Sequence, residues 1–195
     1  MGKLILDISI SLDGFVAGPN PTLEEPLGEG GGWLHEWAFA TKAFRERHGL
    51  ADGEANVDSR LVEESIVNAA ATIMGRRMYS GGEGAWTADP RADGWWGENP
   101  PFHHPVFVLT GHAREPMTMQ GGTTFTFVTD GIESALDQAQ AAAGERDVVV
   151  GGGRAPLSST SGPACSTSFR FTSCPCCWAA AHACSTTSSC RGRAG

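Results

Sequence analysis

Before Cys165 the chain has no cysteine, and from Arg154 to Gly195 it has no aspartate, glutamate or lysine. The first absence excludes a disulfide framework and a thiolate metal site for most of the chain. The second leaves a segment of Ser, Thr, Ala and Cys whose bias ordinary globular domains do not share. No apolar run approaches the ~20 residues that a membrane-spanning helix needs. Clusters of lysine and arginine are missing too, and the formal net charge is -8. A nucleic-acid surface is therefore not expected, since neutralising phosphates takes concentrated positive charge. Met1 to Asp7 is a short apolar run with an acidic interruption rather than a signal peptide, so a cytoplasmic location is expected.

What is there divides in two. All 22 acidic residues and both lysines lie before Arg154, and all 6 cysteines after Ala164. The composition breaks behind the tract from Asp147 to Gly153. Residues 1–153 read as one folded domain, long enough to bury a core, and residues 154–195 as an aberrant Ser/Cys-rich tail.

A shift of reading frame accounts for that tail. If each codon starts one base late, its first base was the middle base of the original codon. Middle U encodes Phe, Leu, Ile, Met or Val, whereas codons that begin with U encode Ser, Cys, Phe, Trp, Tyr and some Leu. A hydrophobic segment thus becomes rich in Ser and Cys. Read back with G/C-rich wobble bases, Cys174 to Ala181 becomes Val-Pro-Val-Leu-Leu-Gly-Gly-Gly, and Leu157 to Thr172 becomes an amphipathic helix running into a strand. On this reading the sheet is incomplete after residue 153 and the tail is irregular. Other readings are weaker. Cys174, Cys176, Cys177, His182, Cys184 and Cys190 have zinc-compatible side chains, but Cys-Pro-Cys-Cys lacks the gap of about two to four residues between paired ligands. A disulfide framework would require an oxidising compartment.

Within the first part, Lys3 to Ile10 has the apolar pattern of a mostly buried strand. Ser11 to Gly14 turns the chain, and Phe15 to Gly32, rich in Gly and Pro, is a long loop of the kind that forms lids and binding segments. A helix is expected over Trp33 to His48. A second, capped by Asp58 or Ser59, leads into a strand over Ala70 to Met74. Gly81 to Pro101 is another loop. Strands follow at Pro105 to Thr110 and Thr123 to Val128, then a helix from Asp130 or Gly131 to about Gly144, then a strand at Asp147 to Val150. Alternating strands and helices imply parallel neighbours with helices on the sheet faces.

Three strand ends carry residues suited to phosphate. Gly151, Gly152 and Gly153 let backbone approach a pyrophosphate. Gly75 is followed by Arg76 and Arg77, and two guanidiniums suit a phosphate monoester such as the 2′-phosphate of NADP. Thr110 can add a hydroxyl to the same phosphate. Ligands of open α/β sheets gather at the carboxyl ends of the strands, where all of these fall. Neither a G-x-G-x-x-G fingerprint nor a P-loop is present. Trp33, Trp37, Trp86, Trp95 and Trp96 either stack on a flat substrate or cover the core. His35, His48, His103, His104 and His112 lack metal spacing and read as surface residues.

The segments Ile10 to Asn20 (I-S-L-D-G-F-V-A-G-P-N), Ile73 to Tyr79 (I-M-G-R-R-M-Y), Pro105 to Thr110 (P-V-F-V-L-T) and Asp147 to Gly153 (D-V-V-V-G-G-G) together resemble stand-alone dihydrofolate reductase-like proteins. These share the C-terminal reductase domain of bacterial riboflavin biosynthesis. The resemblance covers nearly all of residues 1–153, and the back-translated tail resembles the helix and strand that follow in that family. It implies a three-layer α/β/α fold with a mixed, mostly parallel sheet, and NADPH as hydride donor to a heterocycle or a ribose-derived carbonyl or imine, as in 5-amino-6-(5-phosphoribosylamino)uracil reductases. On that basis Gly75, Arg76 and Arg77 hold the 2′-phosphate with Thr110 nearby, and Gly151 and Gly152 face the pyrophosphate. Val16, Ala17 and Gly18 lie against the nicotinamide, and Asp13 orients substrate. Glu36 is the one candidate near the first loop for the substrate carboxylate of classical dihydrofolate reductases, and folate is not favoured. A small heterocyclic substrate is the expected partner, no metal is expected, and a homodimer is left open. The alternative to a reductase is a non-catalytic nucleotide or small-molecule binding protein, since fold does not fix reaction.

Overall fold

The computed structural model describes residues 2–152 and the backbone of 167–174. Among the described residues seven strands form one sheet: β1 (Leu4–Ser11), β2 (Ala69–Gly75), β3 (Pro105–Leu109), β4 (Met117–Thr118), β5 (Thr124–Val128), β6 (Asp147–Gly151) and β7 (Thr167–Cys174). Their order across the sheet is β4-β5-β3-β2-β6-β1-β7. Every pairing is parallel except β4 with β5, so the sheet is mixed and mostly parallel. Five described α-helices accompany it: α1 (Glu36–Phe39), α2 (Lys42–Arg47), α3 (Val57–Val67), α4 (Arg76–Ser80) and α5 (Ile132–Ala143). This is an α/β fold in three layers.

The layers follow from the alternation of side chains along each strand. On one face Leu4, Leu6, Ile73, Phe107, Val148 and Val150 bury against Ala135, Ala139 and Ala143 of α5. Alanines every fourth residue give α5 a flat stripe that lets it sit close to the sheet. On the other face Met74, Val106, Val108, Phe125 and Phe127 pack around Tyr79 of α4. Farther along that face Trp37 donates its indole N–H to Ser9 Oγ (3.2 Å), and Ser65 of α3 donates its hydroxyl to Asp7. Polar anchors here replace the apolar contacts of the α5 side. Among the described residues no helix is long and apolar enough to cross a membrane.

Three expectations are corrected. The helix expected over Trp33 to His48 is broken into a 3₁₀ turn (Gly31–Leu34), α1 and α2. At the break Glu54 N donates to Ala40 O and Lys42 N to Glu54 O, both 2.9 Å, so the backbone groups that would continue the helix are used sideways. Buried Thr41 then starts α2 as its N-cap, accepting from Phe44 N (3.3 Å). The cap of α3 is Asn56, whose side chain accepts from Ser59 N (2.9 Å), rather than Asp58 or Ser59. The sheet does not stop at β6. Residues 167–174 pair with β1 along its whole length, from Leu4 with Thr167 to Ser11 with Cys174. The tail keeps a period-two pattern there, with Phe169 and Phe171 set between polar neighbours and Thr adding strand propensity.

Candidate functional site

The register gathers the sequence-predicted residues along one edge. Because the strands are parallel, Ser11, Gly75, Leu109, Val128 and Gly151 end their strands at the same side of the sheet. Met74 pairs with Gly151, so the Gly75 and Gly152 steps lie side by side. The chain leaves β2 toward β3 and leaves β6 toward β7, on opposite sides, which opens the sheet edge between them. Gly152 has φ +97°, a conformation open to glycine and strained for other residues. A β-carbon added there would come within 3.2 Å of Met78 Sδ, and one on Gly151 within 3.1 Å of the same side chain. An equivalent atom on Gly75 would meet nothing within 4 Å. Gly153 lies outside the described residues, as do the tail residues 176–190 considered as metal ligands. Among the described residues no group of three or more His, Cys, Asp or Glu is placed to hold a metal.

Arg76 and Arg77 do not act side by side. Successive residues of a helix point ~100° apart, and α4 turns one guanidinium inward and the other out. Arg76 is buried: its Nε donates to Ser80 Oγ (2.9 Å), its Nη2 pairs with Asp89, and its guanidinium carbon lies 3.1 Å from the centre of the Trp86 ring. Only Nη1 is left, buried and without a partner among the described residues. Burial raises the Asp89 pKa, but hydrogen bonds from Ser80, Arg76 and the Arg91 amide, with the Arg76 charge, outweigh it and hold the carboxyl below its ordinary range. Arg77 is exposed and pairs with Glu83.

A groove of about 450 Å³ opens beside Arg77. Pro21, Leu23 and Pro26 of the first long loop form one wall, and Arg77, Glu83 and Trp95 the other. The first loop is closed on itself by Gly18 N to Leu27 O (2.7 Å) and Glu29 N to Pro19 O (2.9 Å). Gly28 makes that closure possible, since a β-carbon there would lie 2.4 Å from Gly18 O. Arg91 ties the two walls together, its Nη1 donating to Leu23 O (2.6 Å).

The remaining candidates spread around this edge. Val16, Ala17 and Gly18 are half-buried at the foot of the first loop. Asp13 is exposed and accepts from Ser11 Oγ (2.6 Å), while Ser11 Oγ in turn accepts from Phe15 N (2.9 Å), so the turn is rigidly stitched. Thr110 Oγ1 accepts from His112 N (3.2 Å), and His112 O accepts from Trp86 Nε1 (2.9 Å), which links the end of β3 to the ring over Arg76. Glu36 is exposed on α1 and does not line the groove.

Of the five tryptophans considered, Trp95 alone lines the groove. Trp37 is held by Ser9, Trp86 by Tyr79 and Phe127, and Trp96 by Phe102. His104 departs from the surface reading: it is buried, with Nε2 2.8 Å from Thr72 Oγ1. Burial, then the charges of Arg47, Arg146 and His103, push its pKa down to about 4. Sequence reasoning missed Asp89 and Glu83, the carboxylates that answer the two arginines. Their signal is weak, because both lie in an irregular loop where spacing carries no geometry. Comparison of the chain with protein-family models gives no match, and comparison with curated proteins gives none either.

Proposed function

We propose that the chain is an NADPH-dependent reductase of the riboflavin-biosynthesis type, acting on a small heterocyclic substrate. The observation that carries the reading is the adjacency of Gly75 and Gly152 at strands whose connections depart in opposite directions. Ligands of open α/β sheets bind at such a switch point.

The residues fit the cofactor. Arg77 supplies an exposed guanidinium for the 2′-phosphate at the groove, and the open space at Gly75 and the left-handed Gly152 let backbone approach a pyrophosphate. Arg76 Nη1, a buried donor with no partner among the described residues, can take an acceptor. Thr110 stands at the neighbouring strand end, Val16, Ala17 and Gly18 would flank the nicotinamide, and Asp13 would orient substrate. NADPH supplies the hydride when bound. The chain's part is alignment and exclusion of water, for which the walls around Leu23 and Trp95 are suited.

A non-catalytic binding protein is the second reading. It is favoured by the groove's acid content: among the described residues Glu83 is the sole acid lining it, and it is paired with Arg77. The test is to measure dissociation constants for NADPH and NADH, then to follow NADPH oxidation with pyrimidine and pterin substrates. Tight NADPH binding with turnover supports the reductase. Binding without turnover supports the second reading, and equal affinity for the two dinucleotides removes the role given to Arg77.

A further inference from the structure

The loop after α4 supplies a carboxylate to each of two consecutive guanidiniums, Asp89 to Arg76 and Glu83 to Arg77. The environments of the two pairs are opposite. The Arg76 and Asp89 side chains are 7% and 1% exposed, and those of Arg77 and Glu83 are 70% and 65% exposed. Removing one partner of a buried pair strands a charge away from water, so Asp89 stays where it is. An exposed pair is worth little, and an arriving anion can take the place of its carboxylate. That exchange has room to occur, because Arg77 and Glu83 both line the groove and are the only charged residues that do among the described residues.

We propose that Glu83 is an internal competitor that occupies the Arg77 guanidinium until a phosphate displaces it. A carboxylate ligand gains nothing by replacing Glu83, since it brings the same charge. A phosphate monoester carries about -1.5 to -2 at neutral pH and three acceptor oxygens, so it wins the exchange. The built-in carboxylate thus sets a threshold that an anion must exceed in order to hold Arg77. The proposal rests on the NADPH reading for the identity of the ligand, but the exchange itself concerns any phosphate.

The experiment compares wild type, Glu83→Gln, Arg77→Ala and the double variant. NADPH and NADH are titrated by calorimetry, and inorganic phosphate is followed by phosphorus NMR. Glu83→Gln is expected to bind NADPH and phosphate about two- to fivefold tighter, the range an exposed ion pair covers, with NADH unchanged and the gain absent when Arg77 is also removed. No tightening for either phosphate ligand, or a gain that survives in the double variant, overturns the proposal. If phosphate binding tightens while NADPH and NADH bind alike, the exchange stands and the NADPH assignment falls. If NADPH is preferred through Arg77 but Glu83→Gln leaves it unchanged, the assignment stands and the competitor role falls.

Discussion

The guanidinium of Arg76 and the carboxylate of Asp89 meet beneath the ring of Trp86, with Ser80 hydrogen-bonded to both. One contact therefore pins the loop after α4 to the end of β2. Losing one partner of a buried pair costs about 3 to 5 kcal/mol. Asp89→Ala is expected to lower unfolding free energy by that amount, whereas Glu83→Ala should change it by less than about 1 kcal/mol. Urea denaturation of both variants measures the contrast, and equal effects would show that the loop is held by something else.

His104 gives the fold a pH response in a window of its own. Its folded pKa of about 4 lies below the unfolded value of about 6.5. Between the two, the unfolded chain binds a proton that the folded chain does not. Stability is therefore full above pH ~6.5 and falls as pH drops toward 4, by at most about 3 kcal/mol. Asp89, whose folded pKa is lowered, loses its contribution only at lower pH, as its carboxyl protonates. His104→Gln should flatten the change in urea midpoint across the upper window. A wild-type midpoint that is constant there would count against a neutral, buried His104.

The two glycines at the sheet edge should respond differently to the same change. Gly152→Ala forces a side chain into a φ of +97° beside Met78, with a strain cost of about 1 to 3 kcal/mol. Gly75 has φ -82° and open space around it, so Gly75→Ala should leave stability nearly unchanged. On the proposed function, both weaken dinucleotide binding. Thermal unfolding and NADPH titration of the pair separate strain from lost approach. Unchanged NADPH affinity in Gly75→Ala would argue against backbone contact at that step.

A chain ended at residue 166 would leave β1 without β7. Eight residues of strand edge, Leu4 to Ser11, would then face outward, and open edges promote association. The truncated protein is expected to be less stable and to aggregate on concentration, as read by light scattering. Equal solubility of the two chains would mean that β7 does not protect that edge.

Much of this architecture was legible in the residues because the hydrophobic period is local. β1, β2, β3, β5, β6 and α5 fall where the alternating and helical patterns place them. The break at Thr41 was not legible, because the group responsible, Glu54, acts from another segment. β7 was obscured by composition: a Ser- and Cys-rich text hides the alternation around Phe169 and Phe171. At the site, Arg76 and Arg77 were correctly found at a strand end, but adjacency in sequence was read as adjacency in space. In a helix neighbours diverge, and the partner carboxylates Asp89 and Glu83 decide which arginine faces the groove.

The place of β6 in the sheet has a consequence for how the chain is made. β1 finds its partners in strands synthesised near the other end of the chain: Leu4 pairs with Val148 and with Thr167. β2, β3 and β5 can assemble in the order in which they emerge, but β6 must insert between β2 and β1 after them. During translation the first strand thus waits, with its apolar residues unsheltered, until β6 has emerged. Such long-range closure slows folding and lengthens exposure to aggregation. The N-terminal strand is the segment with most to gain from a chaperone at the ribosome.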